Sequence, residues 1–489
     1  MADRTQDQAS TAPHVVIVGG GIAGLAAAFS LRDEPVRVTV LEAAGRIGGK
    51  LVSANVAGVR VDLAAESTYA PRAKGTGLLA AAGLEDQLAK VGVHARALWS
   101  RAAMRPLPPQ ILGVPWDLDA LAASGVVSDA GMARAREDLA RPATELDEDT
   151  SVAAYVAGRM GQEVVDRITD PFLCGVYGGR AAELSIKATM PPLAAAARKY
   201  PSLAEASHSL VKKPLRPGDP PPPPGVTTLL GGMGSLPQAL ADAVLAASAG
   251  ASVRTGAGVR ALARTAAGWR LTVGPASDPE YISADAVILA LPAGPASRLL
   301  AGTGEAAAAA AELAGISYGS LAGVTLAYRR DAFAGGLTER GSCGYLVPAA
   351  DGKVVTEVIF STVKWPHLAG EVEIMQCQIG RTGDEAVLQR DDADLAAIAA
   401  AEAGEANGAA SAPVATLVTR FDTGHPQYSV GHLARVARIR ASVAAAPGLA
   451  VCGAAYDGVG VATCVASAAK AVKQVTSHLF PGAEADAAA

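Results

Sequence analysis

The feature that most restricts how this chain can fold is a glycine turn placed between a short strand and a helix. His14 to Val18 (HVVIV) is an apolar run, Gly19, Gly20 and Gly21 follow, and Ile22 to Arg32 is rich in Ala and Leu. Asp33-Glu34-Pro35 turns the chain, and Val36 to Glu42 (VRVTVLE) is β-branched with period-two alternation. Strand, glycine turn, helix and strand make a βαβ unit of the expected length. Gly19, Gly21 and Gly24 form GxGxxG around Gly20, Ile22 and Ala23. The first two glycines of that pattern let the backbone turn tightly and approach a pyrophosphate, and the third lets helix and strand pack closely. The unpaired N–H groups and positive dipole end of the helix then favour an anion. Glu42 ends the second strand 23 residues after Gly19, where a carboxylate accepts hydrogen bonds from ribose hydroxyls. The bland alternative is a phosphate-free turn beside an exposed glutamate.

This much suits NAD as well as FAD. The next segment discriminates: Ala43-Ala44 leads into Gly45-Arg46-Ile47-Gly48-Gly49-Lys50, small residues with flanking cations that suit a chain folding back over a second phosphate region. A solvated basic turn is the competing explanation. A third segment lies near the C-terminus, where Cys452-Gly453-Ala454 and Gly458-Val459-Gly460 lead through Val461-Ala462-Thr463 into a last helix, Thr463 to His478. A helix start there would place N–H groups beside the N1 and O2 atoms that gain charge in a reduced flavin. An ordinary Gly/Ala packing turn would look the same in isolation.

Bulk properties limit the rest. At 489 residues the chain is long enough for more than one domain, and 18% charged against 50% hydrophobic residues excludes wholesale disorder. A formal charge of −5, 4% aromatics and no long Lys/Arg run argue against a nucleic-acid partner. The five cysteines are scattered without CxxC spacing, which argues against a disulfide framework or zinc site and fits a reducing cytoplasm. The first twelve residues are polar and read as a loose tail rather than a signal peptide. No run is long and apolar enough for a transmembrane helix, while peripheral membrane contact stays open.

Helical signals dominate from about Trp116 to Leu210, including one helix from Ser151 to Val165 opened by a serine cap. Lys212 to Gly225 (KKPLRPGDPPPPPG) reads as a stiff, exposed connector. Leu51 to Val56 and Val59 to Leu63 read as a hairpin. Strands are expected at Ser252 to Val253, Trp269 to Val273 and Ala286 to Leu291, then at Ala322 to Tyr328, Gly344 to Val347, Val354 to Phe360, Val372 to Ile379 and Gly448 to Gly453. The Ala-rich stretches 306–311 and 397–410 read as helix or surface loop.

Together, residues 42–50, Val59 to Ser67, Gly231-Gly232-Met233-Gly234-Ser235-Leu236-Pro237, Lys364-Trp365-Pro366, Pro426-Gln427-Tyr428-Ser429-Val430-Gly431-His432 and Gly458-Val459-Gly460 resemble the coproporphyrinogen III oxidase / protoporphyrinogen oxidase family of the FAD-dependent amine oxidase superfamily. The likeness runs from about residue 14 to 473 and is nearest the soluble bacterial branch. It departs at Lys50, where arginine is common, at Phe421 in place of a tryptophan, and at Val461-Ala462-Thr463 in place of Ile-Pro-Asp. Lysine keeps the charge but loses bidentate geometry.

The resemblance implies an α/β fold: a discontinuous Rossmann-like FAD-binding domain (13–92, 226–297, 440–480), a mixed-sheet substrate domain (93–110, 298–439) and a helical insertion with its Pro-rich connector (111–225), between flexible tails (1–12, 481–489). It implies FAD contacts from Gly19–Gly24, Glu42, Ala43, Arg46, Gly49, Lys50, Ala64, Ala65, Glu66 and Ser67 beside the isoalloxazine, Val259 at the adenine, and Phe421, Gly453 and Val461–Thr463. Arg96 and Arg72 are the candidates for substrate propionates. The implied reaction is an oxygen-dependent, six-electron oxidation of coproporphyrinogen III to coproporphyrin III in haem biosynthesis, by hydride transfer to FAD with release of hydrogen peroxide, and with handover to a downstream haem-pathway enzyme. Protoporphyrinogen IX stays open as substrate, as does another flavin amine oxidase or desaturase activity. A flavin-binding partner without turnover is the rival of a different class. No side chain is required as acid or base; His367, His425 and His432 read as structural, Cys464 as buried filler, and no metal is expected.

Overall fold

In the computed structural model, residues 12–69, 73–142, 146–211, 225–248 and 250–482 are described. Arg72, the N-terminal tail up to residue 11, the connector at 212–224 and the segment after 482 lie outside them.

His14–Val18 is buried along its whole length because it is sandwiched between parallel neighbours, Arg37–Leu41 and Ala286–Leu289. Ser252–Arg254 and Leu449–Val451 complete a five-stranded parallel sheet. Parallel strands covered on both faces read as near-continuous apolar runs, as His14–Val18, Ala286–Leu289 and Leu449–Val451 do, whereas the edge strand Ser252–Arg254 is only half-buried. On one face pack the helices Ile22–Leu31, Leu236–Ala247 and Val461–Leu479, whose Leu25, Ala28, Leu240, Ala468 and Val472 share one core with Val15 and Ile17. The other face is covered by an antiparallel sheet of Val259–Thr265, Gly268–Val273 and Glu280–Ala284, with the helices Ala293–Leu300, Ala307–Ala314 and His432–Ala444.

The second large sheet has seven strands in the order Ala415–Pro426, Tyr318–Arg329, Val372–Ile379, Val355–Phe360, Gly344–Leu346, Ala97–Ser100 and Ala103–Pro106. It is antiparallel except where Ala97–Ser100 joins Gly344–Leu346 in parallel. Helix Asp392–Asn407, capped by Asp391, buries Leu395, Ala399 and Ala403 against it. A third core, with Leu121, Val156, Ile168, Leu173 and Leu193, belongs to the helical segment between them. No helix among the described residues is long and apolar enough to cross a membrane.

Two local expectations change. The single helix expected from Ser151 to Val165 is broken: Ser151 caps Val152–Met160 through the Ala154 N–H, and the helix then ends at Gly161. Gly161 has φ 93°, and a Cβ there would lie 2.6 Å from Arg134 Cγ. The chain restarts as Gln162–Val164 and a π turn, Val165–Thr169, before helix Asp170–Tyr177. The strands Val259–Thr265 and Glu280–Ala284 escaped the sequence reading because exposed Arg260 and Glu280 interrupt their apolar pattern; hairpin pairing to Gly268–Val273 specifies them instead. The Ala-rich stretches resolve as helix, Ala307–Ala314 and the C-terminal half of Asp392–Asn407.

Candidate functional site

The turn after the first strand is dictated by contact distances. Gly19 has φ 108°, and a Cβ on it would lie 2.4 Å from the Ala290 carbonyl oxygen. A Cβ on Gly24 would lie 1.9 Å from the Gly19 carbonyl oxygen. Helix Ile22–Leu31 starts with Gly21 as a cap that offers no side chain, and its first hydrogen bond runs from Leu25 N–H to Gly21 O at 2.9 Å. The N–H groups of Ile22, Ala23 and Gly24 therefore lie outside the helical ladder. No atom approaches within 4 Å of the space beside Gly21 or Gly45, so the helix start faces open room.

Around that room the predicted motifs converge. Gly48 donates to Gly20 O at 2.8 Å, so the glycine doublet folds back on the first turn and Gly49 lies against Gly21. The Glu42 carboxylate accepts from Gly20 N–H at 2.7 Å and Ala44 N–H at 2.8 Å, tying the two loops together. The turn before Val259 joins them: Ala257 N–H donates to Glu42 O and Gly256 N–H to Ala44 O, at 2.8 and 2.9 Å. Gly258 packs beside Ala43. Gly453 approaches Ala23 and donates to Ser467 Oγ at 3.2 Å. Arg46 turns onto its own loop, donating to Ile47 O and to Gly49 O at 2.8 Å. Helix Val461–Leu479 also begins without a side-chain cap, at Gly460, so Val461 and Ala462 present a second bare helix start, while the Thr463 N–H donates to Gly460 O at 3.1 Å. Both helices follow parallel strands of one sheet, which puts their positive ends on the same sheet edge.

Beside this edge Lys50, His425 and Gln427 lie near one another. Lys50 Nζ donates to Gly424 O, and its ammonium is easier to deprotonate than usual because of burial, with Cys464 opposing that shift. Burial, followed by the Lys50 charge, pushes the His425 imidazole down to about 4, so it is neutral. His425 Nδ1 and Gln427 Oε1 are buried without a partner among the described residues. Burial raises the Cys464 thiol to about 11, which makes it inert packing. Phe421 is half-buried on the last strand of the large sheet, next to Gly323, and the Leu63 carbonyl that precedes Ala64 and Ala65 lies against the same glycine.

The Ala64–Ser67 segment is held from both sides. Upstream, Asp62 accepts from Ser53 Oγ, Met233 N–H and Gly234 N–H at 2.6, 2.8 and 3.0 Å, which explains the Gly231–Pro237 motif as an anchor for the hairpin. Within it, Glu66 pairs with Lys364 Nζ and accepts from Trp365 Nε1 at 3.0 Å. Burial opposes the charge on Glu66, but Lys364 and these hydrogen bonds outweigh it and hold the carboxyl below its ordinary range. The predicted substrate residue Arg96 is ion-paired with Glu357, whose side chain is 8% exposed. Sequence reading did not single out Lys364, Trp365 or Glu357 for these roles. Glu357 did leave a trace, as a carboxylate inside the otherwise strand-like run VVTEVIF.

The sequence profile of the flavin containing amine oxidoreductases matches residues 22–476. The chain belongs to that family. Among its relatives, the coproporphyrinogen III oxidase of Mycobacterium tuberculosis (strain ATCC 25618 / H37Rv) is 36% identical over 470 residues, covering 95% of this chain and 97% of that one. The coproporphyrinogen III oxidase of Bacillus subtilis (strain 168) is 27% identical over 488 residues, covering 96% and 98%. A crystal structure of an Exiguobacterium sp. 255-15 protein superposes with TM-score 0.82 at 27% identity, over 95% of this chain and 99% of that one. The cofactor of this flavin amine oxidoreductase is FAD. The chain's own geometry fits it: two uncapped helix starts on one sheet edge, open space beside Gly21 and Gly45, and orphaned polar atoms on His425 and Gln427.

Proposed function

We propose that this chain oxidises coproporphyrinogen III to coproporphyrin III, taking six electrons in three rounds and using three molecules of oxygen to give three of hydrogen peroxide. The observation that carries the reading is the end-to-end likeness to coproporphyrinogen III oxidases, 36% identity over 95% of the chain. When bound, FAD supplies the hydride acceptor and the route to oxygen. The protein's share is binding and orientation. The N–H groups of Ile22–Gly24 hold the diphosphate, Glu42 the ribose, and the turn at Val259 the adenine. Ala64–Ser67 and Phe421 flank the ring system, the Val461 helix start faces its N1 and O2 edge, and Lys50 adds positive charge there. Arg96 meets a substrate propionate. The product passes to a downstream enzyme of haem synthesis.

FAD-loaded protein mixed in air with each porphyrinogen tests this by porphyrin fluorescence and peroxide yield. Coproporphyrinogen III should be turned over fastest, with about three peroxides per porphyrin, the number its six-electron change requires. Faster turnover of protoporphyrinogen IX would reassign the substrate. No gain over the enzyme-free control with either would refute the reading.

A further inference from the structure

Arg96 immediately precedes strand Ala97–Ser100, and Glu357 stands on Val355–Phe360, with Gly344–Leu346 between them in the sheet. One guanidinium nitrogen of Arg96 contacts Glu357 Oε1 and the Cys343 sulfur is a further side-chain partner, while no other oxygen acceptor meets its N–H groups among the described residues. Arginine carries five donors in a rigid fork, so most of this one stays available. Glu357 Oε2 likewise has no donor among the described residues. Helix Asp170–Tyr177 closes over it: a Cβ on Gly175 would lie 3.0 Å from Oε2, so a glycine there lets the helix come down on the carboxylate. Glu66 adds a second, more distant negative charge to the field at Arg96. The guanidinium thus already has an internal counter-ion before any ligand arrives.

We propose that Glu357 is the residue that sets how tightly Arg96 holds a substrate carboxylate: it positions the guanidinium and cancels its charge, so a porphyrin propionate binds as a weakly held third member and the product can leave. The inference rests on the porphyrinogen reading given above. Two carboxylates on one arginine repel each other, and removing the internal one leaves a partly buried cation whose best remaining partner is the ligand. Glu357 is therefore a specificity-determining residue that acts through Arg96 and not on the reacting atoms.

The test uses FAD-loaded protein and two probes, coproporphyrin III and its uncharged tetramethyl ester, titrated by porphyrin fluorescence. In Glu357→Gln the acid should bind about tenfold more tightly while the ester changes less than about twofold. The gain should vanish in Arg96→Met/Glu357→Gln, which should match Arg96→Met. Equal changes for acid and ester, or a gain that survives loss of Arg96, would overturn the proposal. If Glu357→Gln does not fold, Glu357→Asp, which withdraws the carboxylate by one methylene, should tighten the acid in the same sense, and no change in its acid-to-ester ratio would overturn it too. Failure of the wild type to bind either probe would sink the porphyrinogen reading along with this one. Normal acid-over-ester preference in the wild type, unaltered by either variant, would sink this one alone.

Discussion

The glycine-turn edge and the wall that carries Glu66 and Arg96 are built from different materials. At the first, main-chain N–H groups and missing side chains do the work: Gly19, Gly21 and Gly24 shape the turn, and the charged residues Glu42 and Arg46 bind backbone. At the second, charged side chains are set against one another, Lys364 on Glu66 and Arg96 on Glu357. A backbone cradle is rigid, costs little desolvation and accepts an anion common to many ligands. A wall of paired side chains is costly to bury and can be altered one residue at a time. The difference teaches where each kind of substitution should act, on cofactor loading or on ligand choice.

The largest expected effect is at the cradle. Gly24→Val would drive Cβ into the Gly19 carbonyl, 1.9 Å away, with no flexible neighbour to yield. It should cost more than about 3 kcal/mol and give protein without bound flavin, read from the ratio of visible to 280 nm absorbance. Yellow protein of normal melting temperature would break the contrast. Next comes the wall. Lys364→Met leaves Glu66 buried and unpaired, at a cost of about 3 kcal/mol, and Glu66→Gln/Lys364→Met should recover most of it, measured by urea unfolding. The pair is also pH-dependent. Because the Glu66 carboxyl sits below its ordinary value in the folded protein, its contribution is complete above about pH 4.3 and is lost as pH falls through the lower folded value. Acidification should therefore weaken the wild type more steeply than the double variant; parallel curves would show that the pair contributes nothing. The smallest effect is Glu42→Gln, which exchanges one acceptor for a donor facing an N–H group. It should cost about 1 kcal/mol and a few-fold in FAD affinity, with porphyrin binding to the loaded protein unchanged.

This contrast also explains what could be read from sequence. The βαβ unit, the glycine doublet and the strand–turn–helix near Gly453 announce themselves because their residues are neighbours in the chain and obey local backbone rules. The hairpin 53–62 was legible for the same reason. The ion pairs were not, since Arg96 and Glu357 are 261 residues apart and Glu66 and Lys364 are 298 apart; no local period specifies such a meeting. Gly161 was misread inside a helix because its φ of 93° and its contact with Arg134, brought in by another helix, both come from the tertiary fold and not from the local pattern. Family likeness supplied the Ala64–Ser67 segment and Arg96, and the fold then brings in the partners that hold Glu66 and Arg96.

One consequence follows from the five-stranded sheet. Its central strand His14–Val18 and its outer strand Leu449–Val451, with the helix start at Val461, are separated along the chain by most of the other elements of the fold. Contacts this distant along the chain are slow to form, so the first half of the cradle can assemble before the second is in place. Flavin capture is then expected late in folding, once both helix starts stand on the same sheet edge.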